Sequence, residues 1–182
     1  MADGVRTRLI LAGLAELEEH GIKDFSLRRA AVRAQVSCAA PYRHFKDKDE
    51  FILETVRYIE SSWALLCREI EAAFFSDTRR LLMELCMANL RFWLANSSFR
   101  SVLMLSPKEA AFGGELMKID KSLISAIERY SEECGNSSAN ETVFAVRSLI
   151  YGTVLLVGTG EIANDAATQA LVRSRLEKLL SE

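Results

Sequence analysis

Between Ser26 and Phe51 the chain reads SLRRAAVRAQVSCAAPYRHFKDKDEF, and here the residue types can do chemistry. Tyr42, Arg43, His44, Lys46 and Lys48 all carry hydrogen-bond donors at the ends of their side chains, and the acceptor that suits such a cluster is a phosphate oxygen. From Lys23 to Lys48, seven Lys/Arg stand against only Asp24 and Asp47. Residues 1–48 carry nine basic and six acidic side chains, residues 49–182 carry fourteen and nineteen, and the whole chain has a formal charge of −2. That distribution is the footprint of a local nucleic-acid-contacting module on an acidic body, and it excludes a uniformly basic binder.

The elements that must position these donors follow from caps and periodicity. Ser26 is a good N-cap, and Leu27, Ala30, Ala31 and Ala34 recur behind it at helical spacing, which predicts a helix of about two and a half turns. Gln35-Val36 interrupts that pattern. Ser37 offers a second cap before Cys38-Ala39-Ala40-Pro41-Tyr42-Arg43-His44-Phe45, with Pro41 in the first turn, where its missing N–H costs nothing. The free amides and dipole at the start of this second helix would face the polyanion, with Val36 and Phe45 turned inward. A first helix, Val5 to His20, carries Leu9, Ile10, Leu14 and Leu17, and Gly21 ends it in a left-handed turn. Asp47 is expected to cap a long helix from Lys48 to about Phe74. Two short helices meeting at a tight turn beside a supporting helix make a helix-turn-helix for double-stranded DNA.

Val36-Ser37, Tyr42-Arg43-His44-Phe45, then Lys48 with Asp49-Glu50-Phe51, preceded by His20-Gly21-Ile22, resembles the signature of tetracycline-repressor-like (TetR family) regulators, from about Leu9 to Phe51. The resemblance implies that the helix beginning near Ser37 enters the major groove and that Tyr42, His44 and Lys48 hold phosphates. The DNA-facing set is then Ser26, Arg28, Ser37, Cys38, Ala39, Ala40, Tyr42, Arg43, His44 and Lys48. It further implies a homodimer on a palindromic operator and a helical C-terminal domain for ligand binding and dimerisation. One departure stands out: Gln35 occupies the interhelical turn where the family usually has Gly, and a non-Gly residue in a left-handed conformation costs roughly 1 kcal/mol.

The rest of the chain points to an all-α protein. With 182 residues, 49% apolar composition, 2 prolines and 9 glycines, it can bury a sizeable core, and no stretch alternates like a strand. Two domains are expected, 1–48 for DNA and 49–182 for the helical body. Helices are expected at Asp77–Asn96, Glu115–Glu133, Glu141–Gly158 and Asp165–Leu180, with Phe99–Leu105 a short piece and Ser106–Gly114 a loop. The start MADGVRTRLI is not a signal sequence, and apolar runs such as Val154–Val157 are too short to span a bilayer, so a cytoplasmic location without membrane association is expected. The four cysteines have no metal-ligand spacing; Cys38, at a helix start near arginines, could alternatively be redox-sensitive. His20 and His44 are isolated, so no metal, cofactor or catalysis is expected. The run VLLVGTGEIA at 154–163 mimics a dinucleotide fingerprint, but no second strand follows and a helix end is the better reading.

The central helices gather large adaptable side chains. Trp63, Cys67, Met83, Cys86, Met87, Leu90, Trp93, Met104, Phe112, Met117 and Tyr151 are candidate walls for a largely apolar small-molecule effector, with plain core as the competing reading. The last two helices carry Val143, Val146, Ile150, Val154 and Val157, then Leu171, Val172, Leu176 and Leu179. These are the candidate dimer interface, as halves of a four-helix bundle. The function expected is that of a ligand-responsive repressor. A same-fold activator, a protein-responsive regulator or, from another class, a small α-helical enzyme are the alternatives.

Overall fold

A computed structural model of the chain describes residues 2–96, 113–135 and 138–181. Among these, eight α-helices occur in order and no strand: α1 (Ala2–His20), α2 (Leu27–Arg33), α3 (Pro41–His44), α4 (Lys48–Phe74), α5 (Thr78–Ala95), α6 (Gly113–Glu133), α7 (Ala139–Gly158) and α8 (Ala166–Leu179). The expected segment Phe99–Leu105 and the loop from Ser106 up to Gly113 lie outside the described residues, and Gly113-Gly114 open α6. The chain divides into two compact units, Met1–Ser62 with Ser98–Lys118, and Trp63–Ser97 with Ile119–Glu182. The break in packing therefore falls inside α4.

Local chemistry sets the helix bounds. Asp47 Oδ1 accepts from Glu50 N–H at 2.9 Å, Asp77 Oδ1 from Arg80 N–H at 2.9 Å, and Asp165 Oδ1 from Thr168 N–H at 2.8 Å, each satisfying one donor that the first turn leaves free. Those bonds hold the Asp165 carboxyl below its usual range. α7 ends in a Schellman motif: Gly160, at φ +78°, donates to Val157 O at 3.1 Å, and Glu161 N–H donates to Leu156 O at 3.0 Å. The GxGxxA run is thus a helix cap. By length and composition α7 would pass as a membrane span, a test that the core helix of a globular protein also passes, since only Glu141 and Arg147 interrupt its apolar run. Val146, Ile150, Thr153 and Val154 on α7 are buried within the chain.

The first unit is built on aromatic contacts and one buried carboxylate. Phe51 lies 5.5 Å from Phe25 and 4.5 Å edge-on from Phe45, ring centre to ring centre. A Cβ on Gly13 would sit 2.3 Å from Phe51 Cε1, so α1 and α4 meet where no side chain fits. Glu16 interrupts the apolar face of α1 yet is fully buried, its Oε1 accepting from Ser26 N–H at 3.1 Å and from Arg29 Nε at 2.7 Å, with His20 Nδ1 3.5 Å from Oε2.

In the second unit α5 is buried around most of its girth, from Leu81 to Trp93. Trp63 packs on Phe92 at 5.2 Å and Trp93 on Tyr151 at 5.9 Å. α8 is tied in by Arg173 to Glu84 at 3.3 Å and by Arg91 Nε donating to Gln169 Oε1 at 3.1 Å.

Arg29→Ala should lower the stability of the protein by about 2 to 4 kcal/mol in urea unfolding, because it strips the forked partner from a carboxylate that cannot reach water. Arg33→Ala, whose partner Glu19 is exposed, should leave the urea midpoint close to that of the wild type.

Candidate nucleic-acid interface

The turn between α2 and α3 forms as its residues dictate, at some strain. Ser26 Oγ accepts from Arg29 N–H at 3.4 Å and starts α2, which runs for seven residues, about two turns and shorter than the periodicity suggested. Its end is a Schellman motif with Gln35 in the left-handed position, φ +56°. Gln35 N–H donates to Val32 O and Val36 N–H to Ala31 O, both at 3.0 Å, so two α2 carbonyls are satisfied in exchange for one strained residue.

The second helix is shorter than expected. Ser37 does not cap it. Its carbonyl accepts from Ala40 N–H at 2.9 Å in a turn, and the α-helix covers only Pro41–His44, with Ala40 as N-cap and no side-chain cap. The cause is Pro41: a helix capped by Ser37 needs a bond from residue 41 back to the Ser37 carbonyl, and proline has no N–H to give. Four residues carry almost no dipole, so the expected attraction of the helix start for phosphate drops out.

The side chains on this segment divide cleanly. Ala40, Pro41 and Phe45 are buried, which removes Ala40 from the DNA-facing set. Ser37, Cys38, Ala39, Tyr42 and Arg43 are exposed, Tyr42 to 63%, and His44 is half-buried. Lys48 is half-buried, its Nζ donating to Lys23 O at 3.3 Å and lying 5.9 Å from the Phe25 ring centre, which holds it near α3. Ser26 spends its hydroxyl on the cap, and Arg28 is exposed. Of the other basic residues, Arg29 is held by Glu16 and Arg33 by Glu19, while Arg6 bonds to Glu54 and lies 5.5 Å from the Phe45 ring centre. Burial raises the Glu54 carboxyl, but hydrogen bonds and charge from Arg57 and Arg6 outweigh it and hold the group below its usual range. The Arg6, Glu16 and Arg29 contacts were not anticipated. Glu16 could have been found, since it stands in the stripe Leu9, Ala12, Gly13, Leu17.

The candidate effector and dimer residues lie in the second unit. Trp63, Cys67, Met83, Cys86, Met87, Leu90 and Trp93 are all buried, and Tyr151 is half-buried. Burial raises the Cys67 thiol to about 11 and the Cys86 thiol to about 12. Met104, Phe112 and the Met117 side chain lie outside the described residues. Among the described residues of this unit, two clefts bear on these side chains. One, of about 900 Å³, is lined by charged residues with Met83; the other, of about 450 Å³, is lined by Leu66, Ile70, Glu84, Ala88, Arg91 and Phe92. On α7 and α8, Val146, Ile150, Val154, Val172 and Leu176 are 0–3% exposed and packed into the chain's own core, because both faces of α7 are apolar and spacing alone does not say which turns inward. Val143, Val157 and Leu179 are half-buried and Leu171 is exposed to 58%. Phe144, Leu155 and Leu156 on α7 are exposed as well.

Residues 9–55 match the family model of bacterial regulatory proteins, tetR family. The N-terminal module is a TetR-family helix-turn-helix. No protein of curated function matches the chain by sequence. TetR-type structures share its fold. A TetR transcription regulator from Haloarcula marismortui aligns at TM-score 0.77 and 18% identity, over 100% of this chain and 98% of the other. The regulator FadR from Bacillus subtilis, solved with stearoyl-CoA, aligns at 0.75 and 16%, over 96% and 97%. The fatty acid degradation regulator FadR from Bacillus halodurans aligns at 0.72 and 15%, over 96% and 97%. Within the TetR-type module, then, the segment that carries the exposed donors is the second helix of the pair.

Gln35→Gly should stabilise the protein by about 0.5 to 1 kcal/mol in thermal unfolding, the relief of the left-handed strain exceeding the entropy that glycine adds to the unfolded chain. Gln35→Val should destabilise it.

Proposed function

We propose that this protein is a transcriptional repressor that binds a palindromic double-stranded operator as a homodimer in the cytoplasm and releases it when a small, largely apolar molecule binds its C-terminal helices. The observation that carries the DNA part is the pairing pattern of the module. Arg29 and Arg33 are tied to carboxylates, whereas Tyr42 and Arg43 stand exposed on the short second helix, beside Ser37, Cys38 and Ala39. In this reading Tyr42, His44 and Lys48 contact phosphates and set register, and Arg43 with the small residues 37–39 meets base edges.

The effector part rests on the adaptable side chains around α5 and on the likeness to FadR, whose B. subtilis form was solved with stearoyl-CoA. Trp63, Cys67, Met83, Cys86, Met87, Leu90, Trp93 and Tyr151 would form its surroundings. By linkage, such a molecule weakens operator binding only as far as the operator weakens its own binding.

The dimer is supported by the apolar surface that α7 and α8 leave uncovered. Phe144, Leu155, Leu156 and Leu171 are 38–74% exposed, more apolar surface than scattered single residues present. Gly152 lies on α7 between Phe144 and Leu155, and a Cβ there would meet nothing within 4 Å in this chain. Two copies could approach closely across it.

Two measurements test this reading on the whole protein. Lys48→Ala should weaken binding to all duplexes alike and reduce the salt slope by about one per subunit, whereas Arg43→Ala should relax preference at particular base pairs. Uniform weakening by Arg43→Ala would make it another backbone contact. Gly152→Leu should leave the monomer folded, since the site is open, but give monomers by ultracentrifugation and at least about tenfold weaker operator binding, because the recognition elements are no longer tied about 34 Å apart. A Gly152→Leu protein that stays dimeric moves the interface elsewhere.

A further inference from the structure

Inside the second unit, a carboxamide and two indole N–H groups have no hydrogen-bond partner among the described residues. Asn89 on α5 is 1% exposed, and neither its Oδ1 nor its Nδ2 has a partner. The same holds for Nε1 of Trp63, 1% exposed, and of Trp93, fully buried. A buried amide in this state has given up its hydration without return, and an apolar side chain of similar size would fill the place at lower free energy.

Helix geometry locates the amide. Residues 89, 92 and 93 share one face of α5. The Phe92 ring lies 5.2 Å from Trp63 on α4, the Trp93 ring lies 5.9 Å from Tyr151 on α7, and Phe92 and Trp93 meet at 6.0 Å. Asn89 is buried on that face of α5, one turn before the two residues whose rings make those contacts. Phe92 also walls the cleft of about 450 Å³, where Leu66, Ile70 and Ala88 supply apolar surface and Glu84 and Arg91 the charges. Both charges are engaged, Arg91 with Gln169 and Glu84 with Arg173.

We propose that Asn89 is a binding residue for an uncharged effector group with a hydrogen-bond donor and acceptor side by side, a carboxamide or lactam, on an apolar body that enters past Phe92. The proposal rests on the reading of these helices as an effector domain and names the effector's class. Asn89 offers an acceptor and donors in one plane, which complements such a group in two bonds, and an indole N–H supplies a third to its carbonyl. An ammonium in the same place would be desolvated without a counter-charge, and a carboxylate would find the Arg147 guanidinium already held over the Tyr151 ring at 5.4 Å.

The test uses the full chain, whose only two tryptophans are Trp63 and Trp93, so that tryptophan emission reports on the site itself. Benzamide, hexanamide and valerolactam are titrated against benzoate and hexanoate, following emission and melting temperature, with wild type and Asn89→Leu. The expected result has three parts: the amides shift emission and raise the melting temperature saturably, the carboxylates do so at least about tenfold more weakly, and Asn89→Leu loses the preference while melting higher than wild type without any probe. A lower melting temperature for Asn89→Leu would mean that the amide is already satisfied, and would overturn the proposal. So would silence from all three amides, which leaves Asn89 to a buried water. If the carboxylates bind and release operator while the amides do not, the effector-responsive reading stands and the class assigned here falls.

Discussion

A carboxylate with no access to water is the constraint on which the DNA-binding module depends. Glu16 must find its hydrogen bonds inside the protein, and those it makes, both to Oε1, come from the Ser26 amide at the start of α2 and the Arg29 guanidinium on it. Because Ser26 also caps α2 through its hydroxyl, one residue both starts that helix and fixes it against α1. The cost of an unpaired charge in the interior leaves a single registry for the two helices. It also takes Arg29 out of contention for phosphate, so the local excess of basic residues overstates the charge free to meet DNA.

Much of this architecture was legible because its signals are local. Ser26 and Asp47 mark helix starts through bonds to amides three residues on, and Gly21, Gly135 and Gly160, all at positive φ, mark ends. The left-handed Gln35 was readable too, since its neighbours define a turn that any residue there must follow. The extent of α3 was not, because proline acts on a bond four residues back, and Ser37 looks like a cap until that missing donor is counted. Glu16 does show as a break in the apolar stripe of α1, but nothing in the spacing says that Arg29, on another helix, is its partner. α7 failed for a different reason: a helix apolar on both sides gives its bounds away but not its inward face, so Val146, Ile150 and Val154 could not be told from Phe144 and Leu155.

Both units bury polar atoms that are only partly satisfied. In the first, Glu16 Oε1 accepts two hydrogen bonds while Oε2 has none and only faces His20 Nδ1 at 3.5 Å, and the Thr55 hydroxyl donates to Phe51 O at 2.8 Å. In the second, Asn89, Trp63 and Trp93 carry polar atoms that the chain leaves unpaired. Satisfied groups make a rigid core with one arrangement, and unsatisfied ones mark places where the core is not at its stability optimum.

The contact at Gly13 has a mechanical consequence. With no side chain between the α1 backbone and the Phe51 ring, and with that ring pressed edge-on against Phe45 at the end of α3, three helices touch through parts that do not compress. Close-packed interiors transmit displacement instead of absorbing it. A shift of α4 at Phe51 therefore has no slack in which to dissipate before it reaches the residue that ends the second helix of the motif.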